Sequence, residues 1–281
     1  MKGSLHRRLR ATRSSLTDTR WGKLVTALLC VGLWLLLWHV AASHLAKPLL
    51  LPAPAAVFRR IGSLAATADF WRYSLLSLGR ILGGILIGVV LATLAAIFTA
   101  ISHLARLLLA PLITVVKSTP VASFIILAML WIDEGILPVF ISFLIVFPVL
   151  WSNLHTAFCG IPAPYHDLAR VFRLPLGRRI RRIYIPSALP YFVSACRSCL
   201  GLAWKAGIAA EAIALPAVSI GKQLMDSKIY LETTDMFAWT TVVILLSLLL
   251  EALAELIFRP IQRRTAHMTH SIEAEAEQRR I

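Results

Sequence analysis

The chain has 281 residues, of which 58% are hydrophobic and only 15% are charged, and its mean hydropathy is +0.75. A water-soluble domain needs more polar residues to cover its surface, so this composition predicts an integral membrane protein. The formal net charge of +15 does not indicate nucleic-acid binding, because the basic residues gather at the ends of apolar runs and no separate soluble domain remains.

Residues 1–23 form a basic tail, and an apolar run follows from Leu24 to about Leu45. This run is too long for the hydrophobic region of a cleaved signal peptide, and it matches the roughly 20 residues needed to cross hydrocarbon. We therefore predict a retained first span with the N-terminus in the cytoplasm.

Further apolar runs predict five more spans, which makes six and returns the C-terminus to the cytoplasm. Most of the 29 lysines and arginines lie in segments that this topology places in the cytoplasm, as expected for a membrane protein. The third span contains Pro111 and Pro120, so it should face the protein interior, where neighbouring groups satisfy the freed backbone. The five spans lie at about 75–100, 107–132, 136–158, 190–214 and 236–258.

Three segments of the sequence fall outside the spans. Residues 51–73 begin with a Pro-x-Pro turn and predict a short amphipathic helix at the outer surface. Residues 215–235 have mixed polarity and predict an outer loop with a short helix. Residues 259–281 are charged and lack apolar periodicity, so we expect a mobile cytoplasmic tail after the six-span domain of residues 24–258.

The segment of residues 160–190 carries six arginines and is predicted to lie in the cytoplasm. Its pattern predicts a helix from about Pro164 to Phe172, a break, and a second helix that Pro186 and Pro190 end. A compact helical loop of this kind is suited to docking another protein. For four of its arginines, anchoring to anionic lipid headgroups is an equal alternative. These four are Arg178, Arg179, Arg181 and Arg182.

Ionisable residues also occur inside the apolar runs, where they are costly and usually face a cavity or a partner. Lys117 and Lys205 are candidates for an anionic substrate path, whereas Glu211 and Lys205 have structural alternatives, namely pairing with another helix or snorkelling. Arg80 is predicted near the outer end of the second span, either as a helix-end anchor or as a gate residue. The four cysteines show no paired spacing and predict structural thiols rather than a metal or redox site.

Several short motifs occur in order along this topology, and together they resemble the nitrate/sulfonate/taurine-type family of ABC importer permeases. The resemblance covers roughly residues 48–258 and implies the type I ABC importer permease fold, with the loop matching the family's EAA loop. The motifs are Leu51-Pro-Ala-Pro54, Ser77-Leu-Gly-Arg80, Lys117-Ser-Thr-Pro120, Asp-x-Ala at 167–169, Ile-Pro at 185–186, and Gly201-Leu-Ala-Trp204 followed by Glu211.

The resemblance implies a permease homodimer in the bacterial cytoplasmic (inner) membrane, with two cytoplasmic ATPase subunits and an extracytoplasmic substrate-binding protein. The chain has no G-x-x-x-x-G-K-[ST] motif, so we expect no cofactor here, with ATP and Mg bound by the partner ATPase. The solute is expected to be a small anion of the sulfonate, taurine or nitrate type. Expected coupling residues in the 163–186 loop are Asp167, Ala169, Arg173, Leu174, Gly177 and Pro186; those of the translocation path are Lys117, Pro120, Lys205 and Glu211.

One position departs from the family pattern, because Arg173 stands where the family has a glycine. Glycine permits a positive φ between the two short helices, which arginine tolerates poorly. We therefore predict that Pro175 and Gly177 move the turn a few residues later. We also expect Asp167 near the start of the first loop helix, where a carboxylate interacts favourably with the helix dipole.

Two other classes of function stay open from the residues alone. A secondary transporter driven by an ion gradient would need intramembrane carboxylates and inverted repeats, and the chain has one embedded glutamate and no clear repeat. An integral membrane enzyme would need clustered carboxylates or histidines at a membrane face. Neither pattern is evident in this sequence.

Overall fold

The computed structural model describes residues 20–45, 47 and 49–278. All regular structure among these residues is helical, which confirms the all-α class. The helices are α1 (Arg20–Leu45), α2 (Pro54–Ala65), α3 (Ala68–Ile101), α4 (His103–Ser118), α5 (Val121–Ala128), α6 (Leu137–Cys159), α7 (Ala163–Val171), α8 (Leu176–Arg179), a π-helical turn (Ile180–Tyr184), α9 (Ile185–Ala214), α10 (Ile220–Ile229) and α11 (Thr233–Gln278).

Within the described residues, four helices are long and apolar enough to cross a membrane. A fifth is obtained if the bent pair of α4 and α5 is counted as one span. Helix α9 contains the predicted fifth span but also Arg197, Lys205 and Glu211, and it falls outside this group. The predicted number of six spans is therefore not confirmed. The four segments are Leu24–Leu45, Ala68–Ile101, Leu137–Cys159 and Thr233–Arg259.

The described chain forms two compact units, and the smaller comprises residues up to 64 together with 227–238. The predicted amphipathic helix of segment 51–73 is present here as α2. Arg60 of α2 donates two hydrogen bonds to Asp235 at the start of α11, each 2.6 Å long. Thr233 adds a hydrogen bond of 2.6 Å to the Leu49 carbonyl. These contacts fix α2 and the first turn of α11 within this unit.

The larger unit comprises residues 65–226 and those from 239 onward. Helix α6 lies at its centre and contacts α3, α4, α5 and α9. Small residues on α3 let its backbone approach α6 closely. A Cβ atom at Gly84 would collide with the Val139 carbonyl oxygen, and one at Gly88 would lie 2.9 Å from Cβ of Val146. The two glycines of this Gly-x-x-x-Gly motif therefore pack α3 against a helix of the same chain.

The core of the larger unit continues from α3 through α6 to α9. Ala92 and Ala96 of α3 pack with Leu150, Trp151 and further buried residues of α6, and Ala188 and Ala195 of α9 complete the cluster. Helix α11 runs through residues 259–278, so the backbone of this part of the predicted tail is helical. The four cysteines are free thiols.

Candidate functional site

A cavity of about 430 Å³ opens in the larger unit between α4, α5, α6 and α9. Apolar side chains form most of its lining, and the polar residues among them are Lys117, Thr119 and Lys205. Among the residues that the structure describes, no carboxylate lines this cavity. Concave, mostly apolar sites with a few placed polar groups are typical of small-molecule binding. The structure thus brings together two lysines that are 88 residues apart in the sequence.

The wall formed by α4 and α5 is an elbow, in which the two helix axes differ by 103°. Helix α4 ends at Ser118 because Thr119, which precedes a proline, is extended with φ −85° and ψ 133°. Pro120 has no amide hydrogen to continue the helix, and α5 begins immediately after it. The segment predicted as one span over 107–132 is therefore two helices joined by a sharp bend, and this pair counts as one span only if the bend is a break within it. Pro111 lies inside α4 without ending it.

The two lysines of the cavity are held differently. The Lys117 ammonium donates a hydrogen bond of 2.6 Å to Oγ of Ser152 on α6, and that hydroxyl donates to the Pro148 carbonyl at 2.9 Å. Lys205 projects from the face of α9 that also contributes Leu202 and Ala209 to the lining. Both lysines are exposed in the single chain. Pro120 lies at the elbow between two lining residues.

Glu211, the fourth residue predicted for the path, lies in a separate buried cluster and outside the cavity lining. Its side chain is fully buried. Ser77 of α3 donates a 2.7 Å hydrogen bond to Oε2, and the Gly221 amide donates to the same oxygen at 3.2 Å. The Arg80 guanidinium lies 3.5 Å from Oε1. The structure thus brings Glu211 together with another helix, as the structural alternative expected.

The same cluster fixes the loop between α9 and α10. The Ser77 hydroxyl accepts a hydrogen bond of 2.9 Å from the Ile220 amide, and Arg80 donates to the Val218 carbonyl at 2.8 Å. Gly221 packs against the backbone of Glu211 so closely that no side chain fits there. Arg80 is therefore an interior ion-pair partner rather than a helix-end anchor. Sequence reasoning quoted Ser77 only as part of a motif and missed Gly221 entirely.

The cytoplasmic loop predicted at 160–190 folds as a compact helical unit. Its first helix is α7, and Arg173, two residues after the helix ends, has a positive φ of 45°. The Arg173 amide donates to the Arg170 carbonyl, and the Leu174 amide donates to the Ala169 carbonyl, both at 3.0 Å. This is the Schellman pattern of helix termination. No glycine in the described residues has positive φ, so the prediction that Gly177 moves the turn was wrong.

A small apolar core explains why arginine is held in this conformation. Ala169, 4% exposed, packs with Ile161 and Ile183, and Leu174 covers the cluster from the turn. The contact between the residue after the turn and the last helical turn accompanies Schellman motifs. Ala169 therefore lies inside the loop, and the expectation that it touches a partner directly does not fit its burial.

Two further expectations about the loop need correction. Helix α7 begins at Ala163, so Asp167 lies beyond the first turn and has no special interaction with the positive helix end. Pro186 and Pro190 do not end the second helix, because the chain continues from α8 through the π-helical turn into α9. The Ile185 amide donates to the Ile180 carbonyl, five residues earlier, which makes this turn wider than an α-helical one. The next residue, Pro186, has no amide hydrogen to donate.

The outer surface of the loop combines apolar and basic side chains. Val171 and Phe172, at the end of α7, are 78% and 67% exposed. Exposed arginines surround them in the sequence, and Gly177 is also exposed. An exposed aromatic residue with neighbouring arginines is the composition that protein–protein interfaces favour.

Long apolar helices, a cavity at a proline elbow and a folded basic loop are features of a multi-pass membrane protein. The chain belongs to the family described as binding-protein-dependent transport system inner membrane component, whose model matches residues 84–267.

Curated relatives agree with this family. The chain is 24% identical over 230 residues to a "Probable ABC transporter permease protein" of Haemophilus influenzae, covering 81% of this chain and 93% of the relative. It is 27% identical over 237 residues to the taurine transport system permease protein TauC of Escherichia coli, covering 81% and 83%. It is 27% identical over 162 residues to the bicarbonate transport system permease protein CmpB of Synechococcus elongatus, covering 56% and 57%.

Proposed function

We propose that this chain is the transmembrane permease subunit of an ATP-driven ABC importer in the cytoplasmic membrane of a bacterium. Two copies form the translocation path, two cytoplasmic ATPase subunits drive it, and an extracytoplasmic binding protein delivers the solute. Both termini lie in the cytoplasm. The chain performs no chemistry itself, since nucleotide binding belongs to the ATPase.

The folded loop of residues 163–186 is the observation that carries this proposal. A loop that only anchored the chain to headgroups would need exposed arginines and no core. This loop has a core of its own around Ala169, and it continues through a π-helical turn directly into α9. A force applied at α7 is therefore passed to a helix that lines the cavity.

The expected coupling residues divide into two roles on this geometry. Asp167, Arg173, Gly177 and Phe172 are exposed, and we assign them to direct contact with the ATPase. Ala169 and Leu174 hold the turn from inside. Pro186 lies in the first turn of α9 and fixes where the loop joins the span.

The solute is proposed to be a small anion. Two relatives are named for taurine and bicarbonate transport, and both compounds carry an anionic group. The cavity lining supports this proposal, since its charged residues are both cationic.

Co-purification of the tagged full-length chain with its ATPase subunit tests the coupling role. Phe172→Asp should abolish recovery of the ATPase, because it places a charge in an apolar interface centre. Ile229→Asp is a matched control, since Ile229 is 61% exposed but lies in α10, outside the loop. Equal recovery of the ATPase with both variants would contradict the proposal.

A further inference from the structure

We infer that Lys117 and Lys205 form a charge-selecting site for the anionic group of the solute, within the cavity at the α4–α5 elbow. This inference rests on the proposed function, because it takes the cavity as part of the translocation path. It goes beyond that function by assigning the selection of charge to two residues of this chain rather than to the binding protein alone.

Two lysines in membrane-spanning segments carry an energetic cost. A charged lysine at membrane depth is expensive unless it meets water, an opposite charge or a protein partner. The described lining of this cavity contains no carboxylate, so neither lysine has an opposite charge beside it there. Both side chains are exposed in the single chain, where lipid would be an unfavourable neighbour. A water-filled path that admits anions removes this cost.

The two lysines reach the cavity from different helices and are held differently. Lys117 is fixed by its 2.6 Å hydrogen bond to Ser152, so its ammonium has a defined position with two further donor hydrogens. Lys205 enters from another helix, and no acceptor or ion pair is found for it among the described residues. One lysine therefore provides a fixed positive charge and the other an adaptable one.

The remaining wall of the cavity combines a helix N-terminus with apolar side chains. Helix α5 begins at Val121 without a side-chain cap, and its first turn borders the cavity. The positive end of this helix adds to the field of the two ammonium groups. Apolar residues such as Ile125 and Leu202 complete the lining. An anionic group with a short apolar or polar body, such as an alkanesulfonate, fits this arrangement.

Charged thiol reagents test the site without requiring transport. In the full-length chain, with the four native cysteines replaced and the protein reconstituted in liposomes, Ala209→Cys places a thiol in the cavity one helical turn after Lys205. The measured quantity is the ratio of reaction rates with an anionic and a cationic methanethiosulfonate. Lys205→Gln and Lys117→Gln should each lower this ratio by about tenfold.

Three controls make the result decisive. Lys205→Arg keeps the charge and should keep the ratio, and Lys222→Gln removes a lysine that does not line the cavity and should leave it unchanged. A thiol at Ala66→Cys, in an exposed loop, should not respond to loss of either cavity lysine. A ratio that stays the same in the double variant lacking both lysines would overturn the inference. The labelling assay contains no ATPase. It can therefore fail while co-purification of the ATPase succeeds, so the charge-selecting site and the proposed function are tested separately.

Discussion

The buried Glu211 cluster gives the sharpest stability prediction. Glu211→Ala leaves the Ser77 hydroxyl and the Gly221 amide without their acceptor, and it leaves the Arg80 guanidinium without its carboxylate. Removing one member of a buried ion pair costs about 3–5 kcal/mol. We expect a loss of about 3 kcal/mol or more in the free energy of unfolding. Glu211→Gln keeps one acceptor oxygen, so it should lose about 1–3 kcal/mol.

Thermal unfolding of the purified chain in detergent measures this difference. At about 2–4 °C per kcal/mol for chains near this size, Glu211→Ala should lower Tm by about 6–12 °C. Glu255→Ala is the matched control, because that carboxylate is 54% exposed and lies 3.6 Å from Arg197. An exposed pair of this kind contributes about 1 kcal/mol or less.

A double-mutant cycle distinguishes loss of the Ser77–Glu211 interaction from general destabilisation of the core. Ser77→Ala and Glu211→Ala remove two ends of one hydrogen bond, so their effects should be non-additive by about 1–2 kcal/mol. If the two effects simply add, or if Glu211→Ala unfolds at the same temperature as Glu255→Ala, the reasoning about this cluster is refuted.

Three further predictions concern backbone positions and one ion pair. In thermal unfolding, Gly84→Ala should destabilise the chain by about 1–3 kcal/mol. Gly83→Ala should be neutral or stabilising, because a Cβ atom at Gly83 has no neighbour within 4 Å. Equal effects of the two variants would contradict the close contact between α3 and α6. Arg173→Gly should slow hydrogen exchange at the Leu174 amide, because it removes about 1 kcal/mol of strain from the left-handed backbone conformation. Arg173→Pro should speed this exchange. The reverse order would refute the Schellman turn. Asp235→Asn should cost about 1 kcal/mol of stability, and an unchanged Tm would show that the paired Arg60 contacts contribute nothing measurable.

Sequence reasoning succeeded where a local physical rule acts strongly. Apolar runs predicted the long helices, the Pro-x-Pro turn predicted α2, and the arginine-rich segment predicted the short helix α7. It named Lys117 and Lys205 as candidates for the translocation path, which stays a prediction, and both residues line one cavity. The motif resemblance predicted the family, which the comparison confirms.

Sequence reasoning failed where tertiary contacts override local preference. Arg173 disfavours a positive φ locally, but the packing of Leu174 against Ala169 holds the turn there. Pro186 and Pro190 predicted a helix end, but the π-helical turn adjusts the hydrogen-bond spacing before them. The partners of Glu211 lie on a different helix and a later loop, so no local pattern could indicate them.

Labelling of the loop tests the central claim, that residues 163–186 face the cytoplasm and dock the ATPase. Phe172→Cys, in the chain without its native cysteines, provides an exposed thiol at the end of α7. A membrane-impermeant maleimide should leave it unlabelled in intact cells, label it in inverted vesicles stripped of the ATPase, and label it poorly once the ATPase is bound again. Labelling of this thiol in intact cells, or equal labelling with and without the ATPase, would contradict the account.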